Sequence, residues 1–212
     1  MEFPGFEPAD FDAFSIPDFA GRMAEIRSRI RPKLVALGAD LAPILSEVVG
    51  CELFPHTAQH MRRRVNPPEE TWAAFCRDKK GYKRWTHYRV AISGAGVRVT
   101  VFVEDDADDK PQLGARLESD AAALLQQLGG TAPVRWYTLG NDPVLQSELT
   151  PERLQEAGRA LQRLKTLKFQ AGIPLPAAEV PGYSPERFEE WVKEQAEVLK
   201  PLYLAGTGTW RE

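Results

Sequence analysis

Apolar and polar positions alternate with period two from residue 86 to 92 and again from 97 to 103, on either side of Ser93-Gly94-Ala95-Gly96. This is the pattern of a half-buried β-hairpin closed by a glycine-rich turn. Pairing Ile92 with Val97 puts Tyr88, Val90, Ile92, Val97, Val99 and Val101 on one face and His87, Arg89, Ala91, Arg98, Thr100 and Phe102 on the other. The first set is expected to pack on the core, and the second to line a polar cleft with His87, Arg89 and Arg98 as its charged members. A weaker alternation at residues 11–16 predicts a short edge strand, and residues 72–77 read as a further strand.

Elsewhere the apolar period is helical. Phe19, Met23, Ile26 and Ile30 recur at intervals of three and four and form one stripe. Pro32 is expected to end or kink that helix. Leu34, Leu37, Leu41, Leu45, Val48 and Val49 extend it in one or two pieces, with breaks near Gly38 and Pro43 and a stop at Gly50. Pro55 opens a helix over 54–65 that ends before Asn66-Pro67-Pro68. On that helix Phe54, Ala58, Met61 and Val65 share a side, while His56, His60 and Arg63 share the opposite one. A helix is read over 114–128, a strand over 134–139, and a helix from the Thr150-Pro151-Glu152 cap to about Leu167. A strand over 169–175 and a last helix opened by Ser184-Pro185-Glu186 follow, and the tail from Gly206 is expected to be loose. Helices around a short, mainly antiparallel sheet read as α+β, and with no linker in sight residues 1–212 read as one domain.

The chain has 212 residues and a formal net charge of -3. Between Cys51 and Val90 there are nine Lys/Arg against four Asp/Glu, whereas the remainder holds 18 basic and 26 acidic residues. A basic island in an acidic chain focuses potential locally. The same overall acidity argues against strong non-specific nucleic-acid binding. No apolar run approaches the ~20 residues a bilayer span needs. The acidic start MEFPGFEPADFDAF is unlike a signal peptide, and two cysteines are too few for a disulfide framework. The expected location is therefore the cytoplasm.

All three histidines, His56, His60 and His87, fall in or beside this island. So does the turn Asp78-Lys79-Lys80-Gly81-Tyr82-Lys83, where lysines beside a glycine suit a phosphate and Trp72, Tyr82 and Trp85 offer stacking surfaces. Neither a GxxxxGKS/T loop nor a GxGxxG motif occurs. His56 and His60 have the i,i+4 spacing of a helical zinc pair, but the residues between them are Thr-Ala-Gln and three arginines follow; no metal site is assigned. Cys76 lies in an apolar strand, as a structural thiol does. The acidic run Glu104, Asp105, Asp106, Asp108 and Asp109 reads as a solvated loop.

At FPHTAQHMRRRVNPPEETWAAF followed by DKKGYKRWTHY, the chain resembles the YktB-like family of uncharacterised bacterial proteins, in which F-P-H, R-x-V-N-P-P, T-W-x-A-F and K-x-G-Y-K recur in this order. The opening FDAFSIPDFAGRM and IRPKLVALG fits as well, so the resemblance is strongest over residues 11–89 and fades to a general layout after Glu104. It implies a cytoplasmic α+β domain and transfers no activity, cofactor or catalytic residue. The shared motif covers His56, Arg64, Asn66, Trp72, Lys80, Tyr82 and Lys83, and leaves Cys51 and Cys76 outside it.

These readings converge on a site that binds a phosphate-bearing ligand, a small molecule or a nucleic acid, the latter not strongly indicated. Its expected residues are His56, His60, Arg63, Arg64, Asn66, Trp72, Lys80, Tyr82, Lys83, His87 and Arg89. Two alternatives stand beside it: a phosphoesterase or transferase with His56 or His60 as general acid/base, and a protein-interaction module with a basic docking face. Cofactor and oligomeric state are left open.

Overall fold

The computed structural model describes residues 2–61, 65–129, 133–138 and 143–208. Its N-terminal segment is helical where a strand was expected: α1 (Pro8–Asp12) runs directly into a 3-10 turn at Ala13–Ser15. Pro8 opens the helix, and the Asp10 carboxylate accepts the Glu7 amide at 2.7 Å. Phe11 and Phe14, three residues apart, are thereby both turned inward. Asp18 caps α2 (Phe19–Glu25) by accepting the Gly21 amide. A π-turn at Ile26–Ile30 then joins α2 to α3 (Arg31–Val49). Pro32 falls just after this widened turn, and the chain continues as helix rather than breaking there.

Neither Gly38 nor Pro43 interrupts α3. The absence of a Cβ at Gly38 admits Pro55, and Pro43 sits on the exposed side, where water can take the carbonyl its ring leaves unpaired. Gly50 ends the helix in the left-handed region at φ 73°.

The next segment carries the main correction. The described residues of the expected 54–65 helix are not helical: β1 (Phe54–Thr57) pairs antiparallel with β2 (Glu70–Cys76), Phe54 opposite Cys76 and Thr57 opposite Ala73. β1 is an edge strand, where a proline forfeits no ladder bond, so Pro55 starts no helix. β3 (His87–Ser93) and β4 (Gly96–Val103) form the expected hairpin, with Ile92 opposite Val97.

The expected 114–128 helix starts earlier and is split at Asp120 into α4 (Lys110–Ser119) and α5 (Ala121–Leu128). The short strands β5 (Arg135–Trp136) and β6 (Val144–Leu145) follow; Leu139, the expected end of the first, lies outside the described residues. α6 (Pro151–Arg163) stops four residues before Leu167, and β7 (Phe169–Pro176) follows it. α7 (Pro185–Thr207) takes in Gly206 and Thr207, which are helical and buried rather than loose.

The sheet order is β1-β2-β3-β4-β7-β5-β6, antiparallel throughout. α3 and α7 cover one of its faces. There Tyr88 stacks on Tyr203 at 4.8 Å and donates its hydroxyl to the carbonyl of Ala196. Val90, Ile92, Val97, Val99 and Val101 fill the same layer and are buried. α4 and α6 cross at Gly114 and Gly158, so closely that a Cβ on Gly158 would stand 2.5 Å from the Gly114 carbonyl oxygen. The result is a single α+β domain. Among the described residues no helix is long and apolar enough to cross a membrane.

Candidate functional site

The face of the sheet opposite α3 and α7 carries the polar set of the hairpin. Strand register fixes its rows. Cys76, His87, Phe102 and Gln170 follow one another across the strands; then come His56, Ala74, Arg89, Thr100, Gly172 and Arg135; then Trp72, Ala91, Arg98 and Pro174. Small residues in the middle row leave space for one long side chain to lie flat, and Arg89 takes it. Its guanidinium centre is 3.5 Å from the centroid of Phe102 and 4.2 Å from that of Trp72. Its terminal nitrogen donates to Glu104 Oε1 and meets His87 Nε2, both at 3.2 Å. The Arg89 Nε is buried without a hydrogen-bond partner.

His87 is fully buried. Its Nδ1 lies 2.8 Å from the carbonyl oxygen of Trp85, which can only accept, so Nδ1 carries the proton and Nε2 is left to accept from Arg89. Burial, and secondarily the positive charge of Arg89, push the His87 pKa well below the usual imidazole value. Tyr82 closes this layer from outside: its ring stands edge-on to His87 at 4.9 Å, and its hydroxyl accepts the Trp72 indole N–H at 3.2 Å. The expected polar cleft at His87 and Arg89 is thus filled, because stacking between two rings compensates for drying the guanidinium.

His56 and His60 do not share a helical face. His56 is on β1 and its Nε2 meets the Asp78 carbonyl oxygen at 2.9 Å. His60 lies in the loop beyond, at φ 50°, with its ring edge-on to Trp72 at 5.3 Å. Both still join the aromatic layer, His56 through Tyr82 at 5.7 Å. The lysine-rich turn is held from below. Asp78 accepts the Lys80 amide and the Trp85 indole N–H, and Arg77 lies over Trp85 and donates to the Thr207 carbonyl. The Lys80 and Lys83 side chains are exposed. Arg63 and Arg64 lie outside the described residues.

The acidic run after the hairpin is built in rather than loose. Glu104 pairs with Arg89 and with Lys168 at 2.6 Å, Asp108 pairs with Arg84, and Asp109 accepts the Thr86 amide on both oxygens. Cys76 is buried, and its thiol is pushed up to about 11, chiefly by that burial. Among the described residues no group of three or more His, Cys, Asp or Glu is placed to hold a metal ion.

Next to this layer, at the turn end of the hairpin, lies an open groove of about 1120 Å³. Arg22, Asn66, Glu70, Arg98, Arg135 and Tyr137 line it. Arg22 is tied to the carbonyls of Ile16 and Pro68, at 2.8 and 3.1 Å. Arg98 pairs with Glu70 and lies over the Tyr137 ring at 4.9 Å. Of the groove residues, the sequence reading named Asn66 for the site and Arg98 for the hairpin's polar face. It missed Arg22, Arg135 and Tyr137. The alternation of Arg135 and Tyr137 within the expected 134–139 strand was the available signal, but only the pairing of β5 with β7 brings that strand to this face.

The family model described as a domain of unknown function, DUF1054, matches residues 6–203. A UPF0637 protein of Bacillus velezensis is 32% identical over 200 residues, covering 93% of this chain and 94% of its own. One from Lysinibacillus sphaericus is 28% identical over 194 residues, covering 92% of each. A Listeria welshimeri UPF0637 protein is 48% identical over a shorter stretch of 92 residues, 43% of this chain and 45% of its own.

Proposed function

We propose that this chain, which belongs to the DUF1054 family, binds a phosphate-bearing ligand on the sheet face opposite α3 and α7, with the anionic group received in the groove at the hairpin turn. One observation carries the reading: guanidinium groups from three separate elements, Arg22 on α2, Arg98 on β4 and Arg135 on β5, line one groove. Arginine offers five donors in a planar fork that matches phosphate oxygens. Arg22 and Arg98 are already oriented by their own partners, which lowers the ordering cost on binding.

In this reading His56, His60, Trp72, Tyr82, His87 and Arg89 are the rigid floor behind the groove, Trp72 and Arg98 standing in the same row of the sheet. Asn66 adds a neutral donor at the rim. Lys80 and Lys83, with Arg63 and Arg64, supply positive potential that draws the ligand in.

Calorimetric titration with pyrophosphate at low salt tests it. The parent protein binds, and Arg135→Ala, which removes an exposed side chain, weakens binding about tenfold, the loss expected for one charge-assisted contact. Equal affinity in the parent and in an Arg98→Ala, Arg135→Ala double variant removes the groove from consideration.

A further inference from the structure

We infer that the ligand is a compact phosphate monoester bearing free hydroxyl groups, not a nucleic-acid strand. The inference rests on the groove being the anion site. Two carboxylates, Glu69 and Glu70, stand among the groove's arginines. Glu70 is committed to Arg98. Glu69 is exposed and makes no ion pair among the described residues, as is true of Arg135. The groove therefore offers an uncommitted cation and an uncommitted acceptor together.

A nucleic-acid strand presents a negative charge at every nucleotide and is favoured by uninterrupted basic surface. It would have to pass two carboxylates here, on a chain whose net charge is already -3. A monoester places its single anionic group on Arg135 and Arg98 and can offer hydroxyl protons to Glu69, because an ionised carboxylate only accepts. At about 1120 Å³ the groove is much larger than a phosphate ion, and Phe14, Pro67 and Pro176 give part of its wall an apolar surface against which a carbon skeleton can lie.

Three probes at one ionic strength decide the matter: methyl phosphate, glycerol 3-phosphate and a ten-residue thymidine oligonucleotide, each titrated into the parent and into Glu69→Gln. Glycerol 3-phosphate is expected to bind about tenfold more tightly than methyl phosphate, the worth of a hydrogen bond to a charged acceptor, and more tightly than the oligonucleotide. In Glu69→Gln that preference collapses, while methyl phosphate binds as well as before or better, since a negative charge has gone. An oligonucleotide that binds at least as tightly as glycerol 3-phosphate, or a preference unchanged in Glu69→Gln, overturns the inference but leaves the anion site standing. Absence of binding by every probe removes both.

Discussion

The pH dependence of stability isolates His87. Its ring is fully buried among Arg89, Tyr82, Phe102 and the Trp85 carbonyl, with His56 close enough to add to the unfavourable field. The imidazole is held neutral in the fold, so its folded pKa lies below its unfolded value of 6.5. The folded state then takes up fewer protons than the unfolded chain. The corresponding stability is present above pH 6.5 and is lost as pH falls below it, by about 1.4 kcal/mol per unit for one group. For a ring that stays neutral down to pH 5, the loss between pH 7 and 5 reaches about 2 kcal/mol, or roughly 4–8 °C in Tm for a chain of this length. The control is His87→Phe, which keeps an aromatic ring beside Phe102 and removes the titration. Its absolute stability falls, because the Trp85 carbonyl and an Arg89 donor lose a partner, but only the slope decides. Other carboxylates and imidazoles titrate in both proteins alike and cancel in the difference. Urea unfolding at pH 7.5, 6.5, 5.5 and 5.0 should give a shallower decline in His87→Phe. Identical slopes, or an NMR titration placing the His87 midpoint near 6.5, would refute the reasoning.

Lys110 is buried and its ammonium stands 2.7–3.1 Å from the carbonyl oxygens of Asp105, Leu164, Lys165 and Leu167, four acceptors sharing its three N–H donors, and so ties the loop after β4 to the end of α6. Lys110→Met keeps most of the aliphatic stem and strands those carbonyls, and thermal unfolding should show a loss of about 3 kcal/mol. The exposed Lys80 and Lys83 should behave oppositely: replacing both with alanine changes stability by less than ~0.5 kcal/mol, yet flattens the salt dependence of pyrophosphate binding.

What the sequence made legible was whatever depended on local period. The hairpin register, with Ile92 opposite Val97, follows from alternation and a glycine turn alone. The caps at Thr150 and Ser184 sit where hydroxyl, proline and acid occur in order. Segment 54–65 was misread because Phe54, Ala58, Met61 and Val65 mimic a helical stripe, whereas Met61 and Val65 are 79% and 78% exposed and form no packed side at all. Strand pairing with β2, a non-local interaction, decided the matter. Burial of His87 and Arg89 was equally illegible. It depends on Trp72, Tyr82, Phe102 and Glu104 arriving from three other parts of the chain. Arg22 and Arg135 are 113 residues apart in sequence, and only the sheet order, with β5 beyond β7, brings both to one groove.

Mapping pyrophosphate onto the backbone amides by two-dimensional NMR tests the central claim most directly. Binding in the groove predicts saturable shift changes at Asn66, at Gly94 to Arg98 and at Arg135 to Tyr137, all reduced in Arg135→Ala. Changes confined to the exposed turn from Lys79 to Lys83, or no saturable change at low salt, would contradict the account.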